Sequence, residues 1–448
     1  MKKVLLSSFL AIILFFSLSL HSYAAVTWQE TQPAGNDDFN WEGSAMSSDG
    51  QTVIAGNSDR LYISKNAGDT WTETQPAGDT DQDWEMARMS SNGQVILVAD
   101  DARLYISKNG GDTWSETQPA GDVDKNFWYP SGMSSDGQTI LAGVSSGRLY
   151  LTTNGGDTWS ETRPAGNTNK DWLPADMSGN GQVIVAGVSG GRLYITTNGG
   201  GAWAEAQPAG NADENWQTVS VSSNGQVILA GDDTRLYIST NGGDTWSETQ
   251  PVGNTDKSWA ASSISSDGQT ILVGEGFGRL YISTNGGDTW SETQPAGSAD
   301  EEWVPLSMSS NGLILLAGAY GGRLYISDSS PTPTTNSNGS ASSAPNQPTS
   351  CTAAAPQSSP NLFQIKPGVS NATLYFAPVS GQNTAYTISY GFTPDANQFA
   401  TTFNYGFSGG VIPYTINYLF PTTWYFKVSG MNNCMPGEWS QTQFVKVN

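Results

Sequence analysis

The residues best placed to meet a ligand are those at which an otherwise regular repeat becomes unequal. Ahead of a recurring arginine the connections read Asp100-Asp101, Asp232-Asp233, Glu275-Gly276-Phe277, Ala319-Tyr320 and Val188-Ser189-Gly190-Gly191, so two are acidic, two carry an aromatic and one is bare. A carboxylate beside an aromatic platform suits a carbohydrate or a cationic peptide, and loops are where binding residues gather. A second break lies four residues after a recurring tryptophan. Most repeats hold Ala, Gly or Ser there, but Arg88 and Asp176 put charge in two of them. Arg88, Asp100, Asp101, Asp176, Asp232, Asp233, Glu275, Phe277 and Tyr320 are therefore the candidate binding residues. A residue present in every repeat serves the repeat, whereas an asymmetric ligand needs positions that differ.

Other chemistry is closed off by composition. The only histidine, His21, lies in the apolar N-terminal region, so Ser-His-Asp and Cys-His nucleophiles, His-ligated zinc and histidine pH switches are excluded from the rest of the chain. The formal charge of −22, or −24 without Lys2 and Lys3, repels phosphate backbones and anionic membrane surfaces, so nucleic acid is not an expected partner. Solubility or salt tolerance accounts for such acidity as well as a cationic ligand does. The acidic loop Asp79-Thr80-Asp81-Gln82-Asp83 begins with calcium-loop spacing, but Trp84 stands where the turning glycine belongs and Ser90 where a bidentate Glu would close the cage. That rules out an EF-hand and leaves open a looser calcium site. No other cofactor is expected.

The elements that carry these residues follow from the repeat. Arg235-Leu236-Tyr237-Ile238-Ser239 alternates as a strand, Asn241-Gly242-Gly243 is a tight turn, and Thr245-Trp246 opens the returning strand. Near copies recur every 43 to 45 residues from Arg60 to Trp290. Two tryptophan series set the count: Trp28, Trp71, Trp114, Trp159, Trp203, Trp246 and Trp290, and Trp41, Trp84, Trp128, Trp172, Trp216, Trp259 and Trp303. Each has seven members, so seven repeats are expected. Within one repeat four strands are read, at Trp84 to Ser90, Gln94 to Ala99, Arg103 to Ser107 and Thr113 to Gln118. Four antiparallel strands at this period predict a propeller blade. The last repeat stops at Ser327 without its fourth strand, while Val26 to Pro33 is a fourth strand with no blade before it. Pairing the two closes the ring.

The hairpin turn resembles the Asp box of BNR-repeat propellers, Ser/Thr-x-Asp-x-Gly-x-Thr-Trp, filled here by Ser64, Asn66, Gly68, Thr70 and Trp71 and by Ser239, Asn241, Gly243, Thr245 and Trp246. Asn replaces Asp throughout, and Ala202 replaces Thr in the fourth copy. The box residues are read as scaffold, fixing a turn by side-chain to backbone hydrogen bonds. Sialidases of this repeat type hold a carboxylate with three unequal arginines on six blades. Here Arg60, Arg103, Arg148, Arg192, Arg235, Arg279 and Arg323 repeat identically over seven, and the Phe-Arg-Ile-Pro motif is missing, so these arginines are expected to pair with loop carboxylates. The second tryptophan series is expected to pack between blades, with sugar stacking as the alternative.

Outside the ring, Lys2-Lys3, an apolar run from Val4 to Leu20 and Ser22-Tyr23-Ala24 read as a secretory signal peptide over residues 1–24. The propeller occupies 26–327, a Ser/Pro/Thr/Asn-rich linker 328–350, and a small β-sandwich 351–448. The sandwich resembles a fibronectin type III domain through Leu419, Pro421, Trp424, Phe426, Val428 and Asn432, with Phe376 where that family has Trp and with either Trp424 or Tyr425 in the corner-tyrosine position. Export favours a disulfide between the only cysteines, Cys351 and Cys434.

The expected fold is all-β, a seven-bladed propeller closed by the N-terminal strand plus the sandwich. The expected function is an exported, non-catalytic binding or adhesion protein with an extracellular glycan or protein as ligand. It would be secreted, cell-surface or periplasmic, without membrane insertion after signal cleavage. Two alternatives follow from the propeller type: a glycoside hydrolase, since such propellers occur in endoglucanases, and a periplasmic assembly factor like the photosystem II factor of this propeller type.

Overall fold

In the computed structural model the described residues are 26–100, 102–121, 127–328, 358–368, 371–377, 385–391, 399–404, 411–417, 419, 423–432 and 435–447. The signal-like segment, most of the linker, Asp101 and both cysteines lie outside them, and so does the expected disulfide. The chain divides into two compact units, Met1–Thr334 and Thr335–Asn448.

The first unit holds seven four-stranded antiparallel sheets. Blade 1 runs Trp41–Met46, Val53–Asn57, Leu61–Ser64 and Thr72–Thr74 from its first strand to its last. Blade 2 is Met86–Met89, Ile96–Ala99, Leu104–Ser107 and Ser115–Thr117, the four strands expected with frayed ends trimmed. The seventh blade is composite. Trp28–Thr31 pairs with Leu324–Asp328 in the register Trp28↔Ser327 to Thr31↔Leu324, so the chain's first strand completes its last blade.

The second strand of most blades is buried along its whole length, because neighbouring blades cover both of its faces. This is why Ile96–Ala99 and its counterparts are continuous apolar runs rather than alternating ones. The cores lie between blades: Ile54, Leu61 and Ile63 pack on Trp84, Ile96 and Val98, and the series closes where Trp41, Val53 and Ala55 meet Leu316 and Leu324. Tight approach is built in by glycine. A Cβ on Gly56 would stand 2.5 Å from the Cβ and 2.8 Å from the carbonyl oxygen of Trp84 in the next blade.

Two hydrogen-bonded circuits run around the ring. At one rim, Ser48 N donates to Ser91 O, Ser91 to Ser135, Ser135 to Gly179, Gly179 to Ser223, Ser223 to Ser266, Ser266 to Ser310 and Ser310 back to Ser48, at 2.8–3.1 Å. At the periphery the Asp-box indoles donate to the preceding blade's last strand: Trp28 to Thr293, Trp71 to Thr31, Trp114 to Thr74, Trp159 to Thr117, Trp203 to Thr162 and Trp290 to Thr249, at 2.6–2.8 Å. One link differs. Ala206 replaces the threonine that Trp246 would reach, and that indole donates to Gly243 O at 3.1 Å.

The second unit is sandwich-like. One sheet orders Asn361–Pro367, Asn371–Ala377 and Ile412–Asn417; the other orders Phe399–Asn404, Ala385–Gly391, Thr423–Asn432 and Met435–Trp439, with Gln443–Lys446 also on Thr423–Asn432. Three of these strands, Asn361–Pro367, Phe399–Asn404 and Met435–Trp439, were not legible from alternation. Phe376, Tyr386, Trp424, Phe426 and Val428 share the core. Between the two candidates for the corner position, Trp424 points inward, while Tyr425 is half-buried against Phe444.

Candidate functional site

The repeated residues are committed to structure. In the first Asp box Ser64 Oγ donates to Asn66 Oδ1 (2.9 Å) and accepts from Gly68 N (2.9 Å), while Asn66 Oδ1 accepts from Thr70 N (2.9 Å). Asn66 Nδ2 donates to Thr70 Oγ1 at 3.0 Å, a bond that an Asp could not donate. The seven arginines meet carboxylates, five of them in the loops as expected: Arg60 binds Asp79 (3.0 Å) and Asp81 (2.9 Å), Arg235 binds Asp256 (2.8 Å) and Arg323 binds Asp38 (2.6 Å), whereas Arg103 and Arg148 are seen with the strand residues Glu116 and Glu161. The second tryptophan series is buried and leaves no indole face for a sugar. Each ring instead meets a tyrosine of its own blade, as Trp84 does Tyr105 at 5.9 Å between centroids.

The unequal connections share one face with the acidic loops, because backbone bridges join them. Gly147 pairs with Lys170, Gly191 with Glu214, Gly278 with Glu301 and Gly322 with Phe39, each turn before an arginine being clasped by the loop entering the next blade. On this face the candidates separate by depth. Asp100 and Asp232 are buried, and each Oδ1 accepts from the backbone N–H groups of its own turn, Ala102 and Arg103 in one case and Thr234 and Arg235 in the other, at 2.6–2.9 Å. Asn57 does the same for Asp59 and Arg60. Burial, with Asp100 close by, pushes the Tyr105 phenol up to about 12. Glu275 is buried too, taking Lys257 Nζ at 3.0 Å, and with burial it holds the Tyr281 phenol well above its ordinary value.

The outward groups are Asp233, which accepts from Asn215 Nδ2 (2.7 Å) and Gln217 Nε2 (3.0 Å), and two aromatics. Phe277 is 81% exposed and Tyr320 42%, on equivalent turns of the adjacent sixth and seventh blades. Phe127, on the loop entering the third blade, is also exposed, and sequence reasoning missed it because it stands beside a scaffold tryptophan.

Arg88 and Asp176 lie elsewhere, in the central channel. Both line a cavity of about 240 Å³ that reaches down to the serine rim, and Arg88 also borders a second one of about 120 Å³ above it. Each crosses to the next blade. Arg88 Nε donates to Ser131 O (3.2 Å) and Asp176 Oδ2 accepts from Val221 N (2.8 Å). Both side chains are half-buried, with protein packed around them, and burial outweighs their mutual attraction. Arg88 is lowered from its ordinary value and the Asp176 carboxyl is pushed up to about 6. The serine rim was also missed, although the repeated Ser-Ser pairs at 47–48, 90–91 and 134–135 were there to find it.

For a cation, the Asp79, Asp81, Asp83 spacing is divided: Arg60 takes the first two, whereas Asp83 joins Glu42 and Glu85, with oxygens from all three within 4.8 Å of one another.

Comparison with known proteins fits this geometry. The BNR/Asp-box repeat matches residues 237–248 and 281–292, the hairpins of the fifth and sixth blades. Among solved structures the chain is similar to YCF48 from Cyanidioschyzon merolae, at 14% identity and a TM-score of 0.53, over 68% of this chain and 99% of that one. A structure of YCF48 bound to D1 peptide is similar at 14% identity and a TM-score of 0.52, over 68% and 97%. No curated protein matches the sequence. The chain thus carries BNR/Asp-box repeats set in a seven-bladed β-propeller, joined to a sandwich-like second unit.

Proposed function

We propose that this is an exported, non-catalytic binding protein whose loop-bearing propeller face docks a segment of a protein partner. The observation that carries the reading is the pair of exposed aromatics, Phe277 and Tyr320, on adjacent blades of a face that also exposes Phe127 and several carboxylates. Exposed aromatics with carboxylates around them act as anchors in an acidic rim. Asp233 is exposed on this face and accepts from the neutral amides of Asn215 and Gln217, and the whole chain is at −22, so the complementary partner is a cationic segment with an apolar side chain. The fold likeness to YCF48, solved with a peptide bound, supports a peptide over a glycan as the ligand class. The committed carboxylates speak in the same direction: Asp100 and Asp232 hold turns, and a glycoside hydrolase needs two facing carboxyl groups where the lower chamber of the channel is lined by Asp176 alone.

The test is a peptide array graded in net charge and aromatic content, read with the parent and with Phe277→Ala and Tyr320→Ala. Retention of cationic peptides that each substitution weakens about tenfold supports the reading. Retention confined to a parallel glycan array, or release of reducing sugar, replaces it with the carbohydrate alternatives.

A further inference from the structure

The channel holds a feature that partner docking does not use. Among the described residues, every other propeller arginine lies within ion-pair reach of a carboxylate: Arg60, Arg103, Arg148, Arg163, Arg192, Arg235, Arg279 and Arg323. Arg88 makes no such pair. Its guanidinium is held by two neutral carbonyls, Nε on Ser131 O at 3.2 Å and one terminal nitrogen on Ala87 O at 2.9 Å. A guanidinium has five N–H donors, so these two bonds leave capacity turned to the cavity. Asp176, two blades on, is the only other charged residue lining the lower chamber. The two feel each other's charge without forming an ion pair, and the blade between them contributes Gly132, with no side chain, at the equivalent position.

The remaining wall is hydroxyl-rich. Ser220 Oγ and Ser262 Oγ are 2.8 Å apart, and Ser44 Oγ and Ser307 Oγ 2.7 Å, in the same chamber. A chamber of about 240 Å³ with one cation, one anion and a polar wall selects by charge arrangement. A bare anion must approach a strongly acidic molecule and then share the space with Asp176. A bare cation meets Arg88. A dipolar ligand with no net charge escapes both penalties and pairs with each residue. No aromatic ring lines the chamber, so an amine with N–H donors is favoured over a quaternary ammonium, which depends on aromatic faces.

We propose that the channel is a binding site for a small primary-amine zwitterion of the amino-acid class, its carboxylate on the Arg88 guanidinium and its ammonium on the Asp176 carboxylate. The site is independent of the loop face and stands or falls without it.

Calorimetric titration of the purified chain at pH 7.5 tests this with glycine, β-alanine and 4-aminobutyrate as zwitterions of graded length, and with acetate and methylammonium as single-charge controls. At least one zwitterion is expected to bind where both controls fail. Asp176→Asn and Arg88→Lys should each weaken it at least tenfold, the first removing the charge and the second the planar fork, with cooperative melting confirming that each variant is folded. Affinity of the parent should fall as the pH drops below about 6, because the only carboxylate in the chamber is then protonated. No binding of any zwitterion to the parent, or binding that both folded variants retain, overturns the proposal and leaves Arg88 and Asp176 as ties between blades.

Discussion

The indole of Trp28 donates to the hydroxyl of Thr293 at 2.6 Å, across 265 residues of sequence, and so ties the first strand of the chain to the last strand of the sixth blade. That strand also pairs with Leu324–Asp328 and offers Thr31 Oγ1 to Trp71. It therefore joins three blades. Removing residues 26–33 is expected to abolish the cooperative melt of the propeller rather than trim its tail, as followed by near-ultraviolet circular dichroism, where the tryptophans report. A ring that melts as before without those residues would show that closure lies elsewhere.

The peripheral circuit has one gap, at Ala206. Ala206→Thr restores the hydroxyl that every other blade offers to the following indole, and a gain of about 1 kcal/mol is expected from one buried hydrogen bond. Thr249→Val, which takes the acceptor from Trp290, should lose a similar amount. Denaturant melts of the two variants give both signs, and an Ala206→Thr protein no more stable than the parent would mean that Gly243 already serves Trp246 fully.

Gly56 is held small by the next blade. Because backbone as well as side chain stands in the way, Gly56→Ala must push Trp84 outward, and a loss of roughly 2–3 kcal/mol is expected from overpacking. Gly78, with nothing within 4 Å of its added Cβ but a positive φ of 82°, should lose only about 1 kcal/mol on the same change, through backbone strain. Parallel thermal melts separate the two costs.

Asp176 gives the propeller a pH dependence of known sign. Its carboxyl rises from 3.8 to about 6 on folding, so the folded state holds the proton more tightly than the unfolded chain. The resulting stabilisation is complete below about pH 4 and is lost as the pH rises through about 6. Relative to Asp176→Asn, the parent should lose on the order of 1–2 kcal/mol between pH 4 and 7, discounted for the partial exposure of the side chain. Melting temperatures of both proteins across that range test it, and parallel curves would contradict a raised carboxyl.

Much of this architecture was legible because each blade repeats the same physical problem. The two tryptophan series and the hairpin fixed seven blades, and the missing fourth strand after Ser327 pointed to Trp28–Thr31 as its replacement. Residue type alone could not reveal depth. Asp100 and Asp233 look alike in sequence, yet one carboxylate turns inward to Arg103 N and the other faces solvent, because only the first position of each turn is placed to accept the backbone N–H three residues on, as Asp232 does from Arg235. The charges at Arg88 and Asp176 stood out as exceptions to a small-residue column. That they share one chamber followed only from the ring's curvature, which places the first strands of all the blades around a common axis. In the second unit the edge strands Phe399–Asn404 and Met435–Trp439 escaped notice because their side chains do not alternate.

The unequal turns of the loop face are proposed as the docking surface. Hydrogen–deuterium exchange, with and without the strongest cationic peptide from the array, measures it directly. Protection is predicted at 275–278 and 319–322 and in the loops that clasp them, around Glu301 and Phe39. Protection confined to the serine rim or to the outer strands, with those turns exchanging as in the free protein, would contradict it.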